Sequence, residues 1–147
     1  MDKYTAVNEI LVNLFNDIIE IEQKEVITGE FKNITYNDMH IIEAIGTKKA
    51  HTMTSVAKRL RITVGTLTIA INNLVKKGYV DRIRSEEDRR VVLISLTELG
   101  KRAYLHHQRF HEEMIRVTLE GIKEEDIPVL TSALSNLSRY FKEKYIN

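Results

Sequence analysis

Between Thr63 and Thr97 the apolar residues change their spacing once, from a helical period to alternation, and one glycine marks the change. In VGTLTIAINNLVKK, residues Val64, Leu67, Ile71, Leu74 and Val75 recur at three- and four-residue steps, which places them on the core side of one helix. Gly78 then stands where a helix is closed by a residue free to take positive φ. YVDRIRS and RRVVLISL follow as strand-like runs around a charged loop, so they read as a hairpin. A helix stopped by one glycine and turned straight back into a two-stranded ribbon leaves few folds open.

The remaining segments narrow them further. Upstream, Thr54 caps a short helix, SVAKRL, and Arg61 and Ile62 make a tight turn into the cap residue Thr63. Before that, Thr35 caps a helix carrying Met39, Ile41, Ile42 and Ile45, which stops at Gly46. Residues 3–27 read as a long amphipathic helix with Val7, Ile10, Leu11, Leu14, Ile18 and Ile21 at helical spacing, ended by Gly29. After the hairpin, Thr97 caps a long helix with Leu99, Ala103, Phe110, Met114 and Val117 along one face. A last helix spans 126–145, with Pro128 in its first turn and Ile127, Leu130, Leu134, Leu137 and Phe141 on its stripe.

The central order is helix, short helix, turn, helix, hairpin, which is the order of a winged helix-turn-helix. The expected fold is therefore mainly α with a small β-hairpin wing. Residues 1–147 are read as one domain, in which 35–97 form the winged helix-turn-helix part. The flanks 1–30 and 98–147 carry more apolar face than one small domain can bury. They are expected to form a helical dimerisation part, making the protein a homodimer.

Charge supports a polyanion partner for the centre. From Lys48 to Arg102 there are 13 Lys and Arg against five Asp and Glu, a net of +8. The whole chain is only +1, so the flanks together carry −7. No acid occurs between Lys48 and Val80. A basic centre of this kind suits nucleic acid. The lack of cysteine removes disulfides, Cys zinc sites and cysteine nucleophiles from consideration. No apolar run approaches the length of a spanning helix, and the N-terminal residues do not read as a secretory signal, so a cytoplasmic protein without membrane contact is expected. A Gly-rich phosphate loop, a G-x-S-x-G elbow and a plausible carboxylate pair are all missing, so neither catalysis nor a cofactor is expected.

The residues that would meet DNA fall into two groups. On the helix after Thr63, the side opposite the core carries Gly65, Thr66, Ile69, Asn73 and Lys76, with Thr68 and Asn72 on its flanks. Short side chains allow close approach to a major groove, and Asn or Thr can bond base edges. Ile69 fits either a thymine methyl or a neighbouring element. The helix start at Thr63–Gly65 offers N–H groups to a phosphate. In the hairpin, Arg84, Arg89 and Arg90 bracket the acidic run Glu86, Glu87 and Asp88. Asp88 is expected to hold Arg89 in a fixed fork for a narrow minor groove, with Glu86 and Glu87 on the solvent side.

The segment NNLVKKGYVDRIRSEEDRRVVLISLTELGK resembles the signature of the MarR family of transcriptional regulators. Leu74, Gly78, Tyr79, Val80, Arg84, Asp88, Arg89, Arg90, Leu96, Thr97 and Gly100 occupy its characteristic positions. The resemblance implies a dimer joined through its terminal helices and bound to palindromic double-stranded DNA. Within the family the stretch is similar to the FabT branch, which implies repression of fatty-acid synthesis genes with acylated acyl-carrier protein as co-repressor. It further implies Arg89 as the minor-groove arginine with Asp88 as its partner, and Thr66, Thr68, Asn72 and Asn73 as major-groove or phosphate contacts. An acyl chain would then enter an apolar space for which Phe15, Ile19, Met39, Ile42, Phe110 and Met114 are the candidates.

The histidines open an alternative. His107 and His111 stand i, i+4 on one helix and His40 lies on another, a spacing that can share a metal, with Glu20, Glu22 or Glu112 to complete it. Some MarR-family members resemble this layout and respond to zinc.

Overall fold

The computed structural model describes residues 1–26 and 29–146, in two compact units, Met1–Phe110 and His111–Asn147. The expected end of the first helix at residue 27 lies outside the described residues. The first unit contains α1 (Lys3–Val26), a 3-10 turn at Gly29–Phe31, α2 (Tyr36–Ile45), β1 (His51–Thr52), α3 (Met53–Leu60), α4 (Val64–Lys76), β2 (Val80–Arg84) and β3 (Val92–Leu96). It also holds the first part of α5 (Glu98–Leu119), whose remainder belongs to the second unit. The second unit adds a 3-10 turn at Glu124–Asp126, α6 (Ile127–Phe141) and a π-helical turn at Lys142–Ile146. The division falls inside α5 rather than at its start because Ala103 and His107 are buried in the first unit, with Leu99 and Tyr104 packed against its core.

Each helix start in the first unit has a chemical reason. Thr35 and Asp38 form a reciprocal capping box on α2: Asp38 N–H donates to Thr35 Oγ1 and Thr35 N–H to Asp38 Oδ2, both at 3.0 Å. For α3 the cap is Thr52, which accepts from Ser55 N–H at 3.1 Å, and not Thr54. The strand β1 ends at Thr52 and delivers it in the extended conformation an N-cap needs. Arg61 ends α3 in the left-handed region, φ 57°, and turns the chain into Thr63, which caps α4.

The end of α4 is a Schellman motif. Tyr79 N–H donates to Leu74 O at 2.9 Å and Gly78 N–H to Val75 O at 3.1 Å, with Gly78 at φ 87°. The apolar pair that accompanies such a turn is Leu74 and Tyr79, both fully buried. The chain then runs into a three-stranded antiparallel sheet of order β1-β3-β2. Arg82 faces Ile94 and Arg84 faces Val92 across β2 and β3, while His51 of β1 faces Ile94 from the other side. The two-residue β1 was not foreseen from the sequence, being too short for any period to show.

The core gathers Met39, Ile41, Ile42 and Ile45 of α2, Val56 and Ala57 of α3, Leu67, Ile71 and Leu74 of α4, and Ile94 and Leu96 of β3. Val64 and Val75, expected with them, are exposed instead: both flank the α4 stripe on the same side, and only its centre, Leu67, Ile71 and Leu74, is buried in the core. The helix of 126–145 is divided, ending as α-helix at Phe141 and continuing as a π-helical turn.

Candidate nucleic-acid interface

The outer side of α4 is as polar and short as its sequence suggested, and its hydroxyls are already committed. Thr63 Oγ1 accepts from Thr66 N–H at 3.1 Å and donates to Thr66 Oγ1 at 2.9 Å, so the Thr66 hydroxyl proton stays available outward. Thr68 donates its proton back to Val64 O at 2.7 Å and can only accept from outside. Ile69 is 69% exposed, so most of its side chain is left uncovered by the described residues. Asn72, Asn73 and Lys76 are exposed beside it. A Cβ placed on Gly65 would meet only Thr63 Oγ1, at an ordinary 3.9 Å. Nothing inside the protein requires glycine there, although glycine in a helix costs about 0.5–1 kcal/mol against alanine. What it leaves is bare backbone at the start of α4.

The wing is a built loop. Ser85 N–H donates to Val91 O at 2.9 Å and Val91 N–H to Asp88 O at 2.9 Å. Asp88 N–H reaches Ser85 Oγ at 3.4 Å. The Asp88 carboxylate takes Arg90 twice over: Nε to Oδ1 at 3.1 Å and Nη2 to Oδ2 at 3.0 Å, with the Arg90 backbone N–H also on Oδ1 at 3.1 Å. This corrects the expected Asp88–Arg89 fork. The chain turns at Asp88, and a side chain in such a turn bonds the backbone N–H two residues on; Arg90 therefore comes to the carboxylate and Arg89 does not. The fork holds the Asp88 carboxyl below the usual carboxylate range, first through the Arg90 side chain and then through its backbone N–H. Arg84 donates to Arg89 O at 2.9 Å and so closes the loop from β2. The Arg89 side chain makes no hydrogen bond or ion pair among the described residues. Exposed ion pairs stabilise little, so the Asp88–Arg90 fork matters for direction more than for energy.

Three contacts around α4 escaped the sequence reading. Arg82 of β2 donates to Asn72 Oδ1 on α4. Lys77, the cap of α4, pairs with Asp38 at 3.3 Å, and the Tyr79 hydroxyl donates to Asn33 Oδ1 at 2.7 Å. These last two tie the end of α4 to the start of α2. A signal for Arg82 was present: it shares strand parity with Val80 and Arg84, on the face that starts in the core.

The remaining sequence candidates are more scattered. Met39 and Ile42 sit in the core, Phe15 and Ile19 on the exposed face of α1, and Phe110 is half-buried, its ring 6.2 Å from that of His107. Met114 belongs to the second unit. The first unit thus does not gather its five around one space. Among the metal candidates, His107 is 1% exposed, with Nε2 at 3.2 Å from Glu22 and 3.1 Å from Glu43. His40 Nδ1 lies 3.8 Å from the other oxygen of Glu43, and the Tyr36 hydroxyl donates to Glu22 at 3.1 Å. Glu20 is exposed and paired with Lys24 at 2.9 Å, so it is not part of this group; His111 and Glu112 lie in the second unit. Burial works against a charged His107, but the Glu43 hydrogen bond and the charges of Glu43, Glu22 and Glu25 outweigh it and raise its pKa. Imidazole with carboxylates is a donor set zinc accepts, yet a proton held this firmly competes with a metal.

A basic helix-turn-helix with an arginine-tipped wing defines a DNA-binding regulator. The MarR family profile matches residues 34–92, which cover α2 through the start of β3. The crystal structure of Streptococcus pneumoniae FabT in complex with DNA is similar over 96% of this chain and 99% of that one, with 39% identity and a TM-score of 0.86. The transcriptional regulator SarZ of Staphylococcus haemolyticus is 33% identical over 99 residues, 67% of each protein. The regulator YpoP of Bacillus subtilis is 28% identical over 138 residues, 94% of this chain and 92% of that protein. The chain belongs to the MarR family of transcriptional regulators and lies near its FabT branch. It is a DNA-binding transcriptional regulator. No helix among the described residues is long and apolar enough to cross a membrane.

Proposed function

We propose that the protein is a homodimeric repressor of fatty-acid synthesis genes that binds a palindromic operator with acylated acyl-carrier protein as co-repressor. The observation that carries this reading is the 39% identity, over nearly the whole chain, to FabT solved on DNA. Dimerisation is supported by the apolar faces each unit leaves uncovered. In the first unit these are Tyr4, Val7, Ile10, Leu14 and Phe15 of α1; in the second, Val129, Leu134 and Phe141 of α6. The outer side of α4, with Thr63, Gly65, Thr66, Thr68, Ile69, Asn72, Asn73 and Lys76, reads the major groove. Arg84, Arg89 and Arg90 serve the wing, and Asp88 aims the arginine that enters the minor groove. We assign that role to Arg90, because it is the arginine Asp88 holds.

A second reading is favoured by one observation, the joining of His107, Glu22, Glu43 and His40 in the first unit. His107 and Glu22 would then hold a regulatory zinc ion, which would replace the proton on His107. Fluorescence anisotropy of a labelled operator duplex separates the readings. It is measured with acylated carrier protein, with the unacylated protein, with Zn²⁺ and with no addition. Tightening by acylated carrier protein alone is the expected result. A response to Zn²⁺ alone supports the second reading, and no response to either rules against both.

A further inference from the structure

Asn72 and Arg82 are both exposed, on α4 and β2, and yet bonded to each other. A guanidinium has five N–H donors and no acceptor, so the atom Asn72 turns to Arg82 has to be its carbonyl oxygen. The amide of Asn72 is therefore fixed, with its NH₂ group directed away from Arg82. On the α4 surface Asn72 stands three residues from Ile69 and four from Thr68 and Lys76, within the strip of the outer side. Arg82 is placed by the β2–β3 register opposite Ile94, a fully buried residue, which anchors the strand that carries it.

This orientation biases the recognition chemistry. Asn reads adenine by a bidentate contact, accepting from N6–H and donating to N7, and needs both ends of its amide. The oxygen keeps a second lone pair, but Arg82 holds it on the β2 side, so the NH₂ group is the end of the Asn72 amide left free for a base. Guanine offers two adjacent acceptors, O6 and N7, in the major groove and suits a pure donor best. We infer that Arg82 is a specificity-determining positioning residue, which clasps the Asn72 oxygen and sets this position of the interface to prefer guanine over adenine. The inference rests on α4 being the element that reads the major groove.

The test is selection of bound sequences from a randomised duplex library by the wild-type protein and by the variants Asn72→Ala, Asn73→Ala, Arg82→Ala and Arg82→Lys. Replacing Asn72 identifies the base pair it reads, as the pair in each half-site whose preference disappears. At that pair the wild type is expected to favour guanine. Arg82→Ala should reduce this preference about 3- to 10-fold, the scale of one neutral hydrogen bond, and raise adenine there. Preferences at the other pairs should stay as they were, which also shows that the variant is folded. Arg82→Lys, which can still donate to the oxygen, should restore guanine. Adenine at the Asn72-dependent pair in the wild type would overturn the inference. So would an even loss of affinity in Arg82→Ala with preferences unchanged, which is the mark of a phosphate contact. A wild-type protein that enriches no sequence, or whose preferences ignore both Asn72→Ala and Asn73→Ala, would overturn the reading of α4 itself.

Discussion

The Arg90 side chain stands 91% exposed while two of its nitrogens stay bonded to Asp88. That combination suits a residue meant to enter a groove: the conformation is fixed before DNA arrives, so less freedom is lost on binding. Arg90→Ala should weaken operator binding about 10- to 100-fold, the scale of a well-placed arginine contact. Arg89→Ala should cost less, since its side chain has no partner among the described residues to aim it. Titrations of both variants against one duplex decide the matter, and a larger loss in Arg89→Ala would return the groove to Arg89. The residue types at this site were legible in the sequence, but the pairing was not. Asp88 adjoins Arg89 in the chain, and only the geometry of the turn brings Arg90 back to it. The Arg82–Asn72 contact was hidden for a similar reason, since it joins a strand to a helix across a glycine-capped turn.

Helix α4 and the wing act as one element because their joint is tightly closed. Thr97 donates to Gly78 O at 2.5 Å, its N–H donates to Tyr79 O at 3.1 Å, and its Oγ1 caps α5 by accepting from Gly100 N–H at 3.1 Å. A Cβ on Gly100 would lie 2.1 Å from Tyr79 O, backbone that cannot give way. Gly100→Ala should therefore destabilise the protein by about 2 kcal/mol or more, within the range of overpacked sites, and lower its thermal midpoint. An unchanged midpoint would mean that α5 does not pack on this joint as described. Periodicity revealed α4, the hairpin and the long helices, whose patterns run over many residues. It gave the wrong cap for α3 because Thr52 and Thr54 are equally good N-caps in isolation, and only the pairing of β1 selects the first.

The contact of α1, α2 and α5 at His107 carries a pH dependence. A raised native pKa means that protonated His107 contributes stability fully below the ordinary imidazole value of 6.5. That contribution is lost as pH rises through the raised value. Thermal midpoints of chelator-treated protein should fall from pH 6 to pH 9 in the wild type, and the fall should be smaller in His107→Gln. Parallel curves would show that His107 does not hold a proton between the glutamates. Glu43, its strongest partner, was not anticipated, because its relation to His107 spans two helices with no shared period.

At the scale of the whole molecule, charge and apolar surface are divided between the parts of the chain. The basic stretch supplies α3, α4 and the wing, while α1 and α6 leave apolar faces uncovered. The sequence made this division visible as a change of sign along the chain, although it could not show which faces stay open. Affinity built on lysine and arginine contacts with phosphates should fall steeply with salt. The central claim is that two copies of this chain present α4 and the wing to one duplex. Hydroxyl-radical footprinting on a library-selected operator tests it most directly. The account predicts two equal protected half-sites related by two-fold symmetry, with centres about one or more helical turns of roughly 10–10.5 base pairs apart. A single unsymmetric footprint, or the same protection with the α4 face and wing arginines replaced, would contradict it.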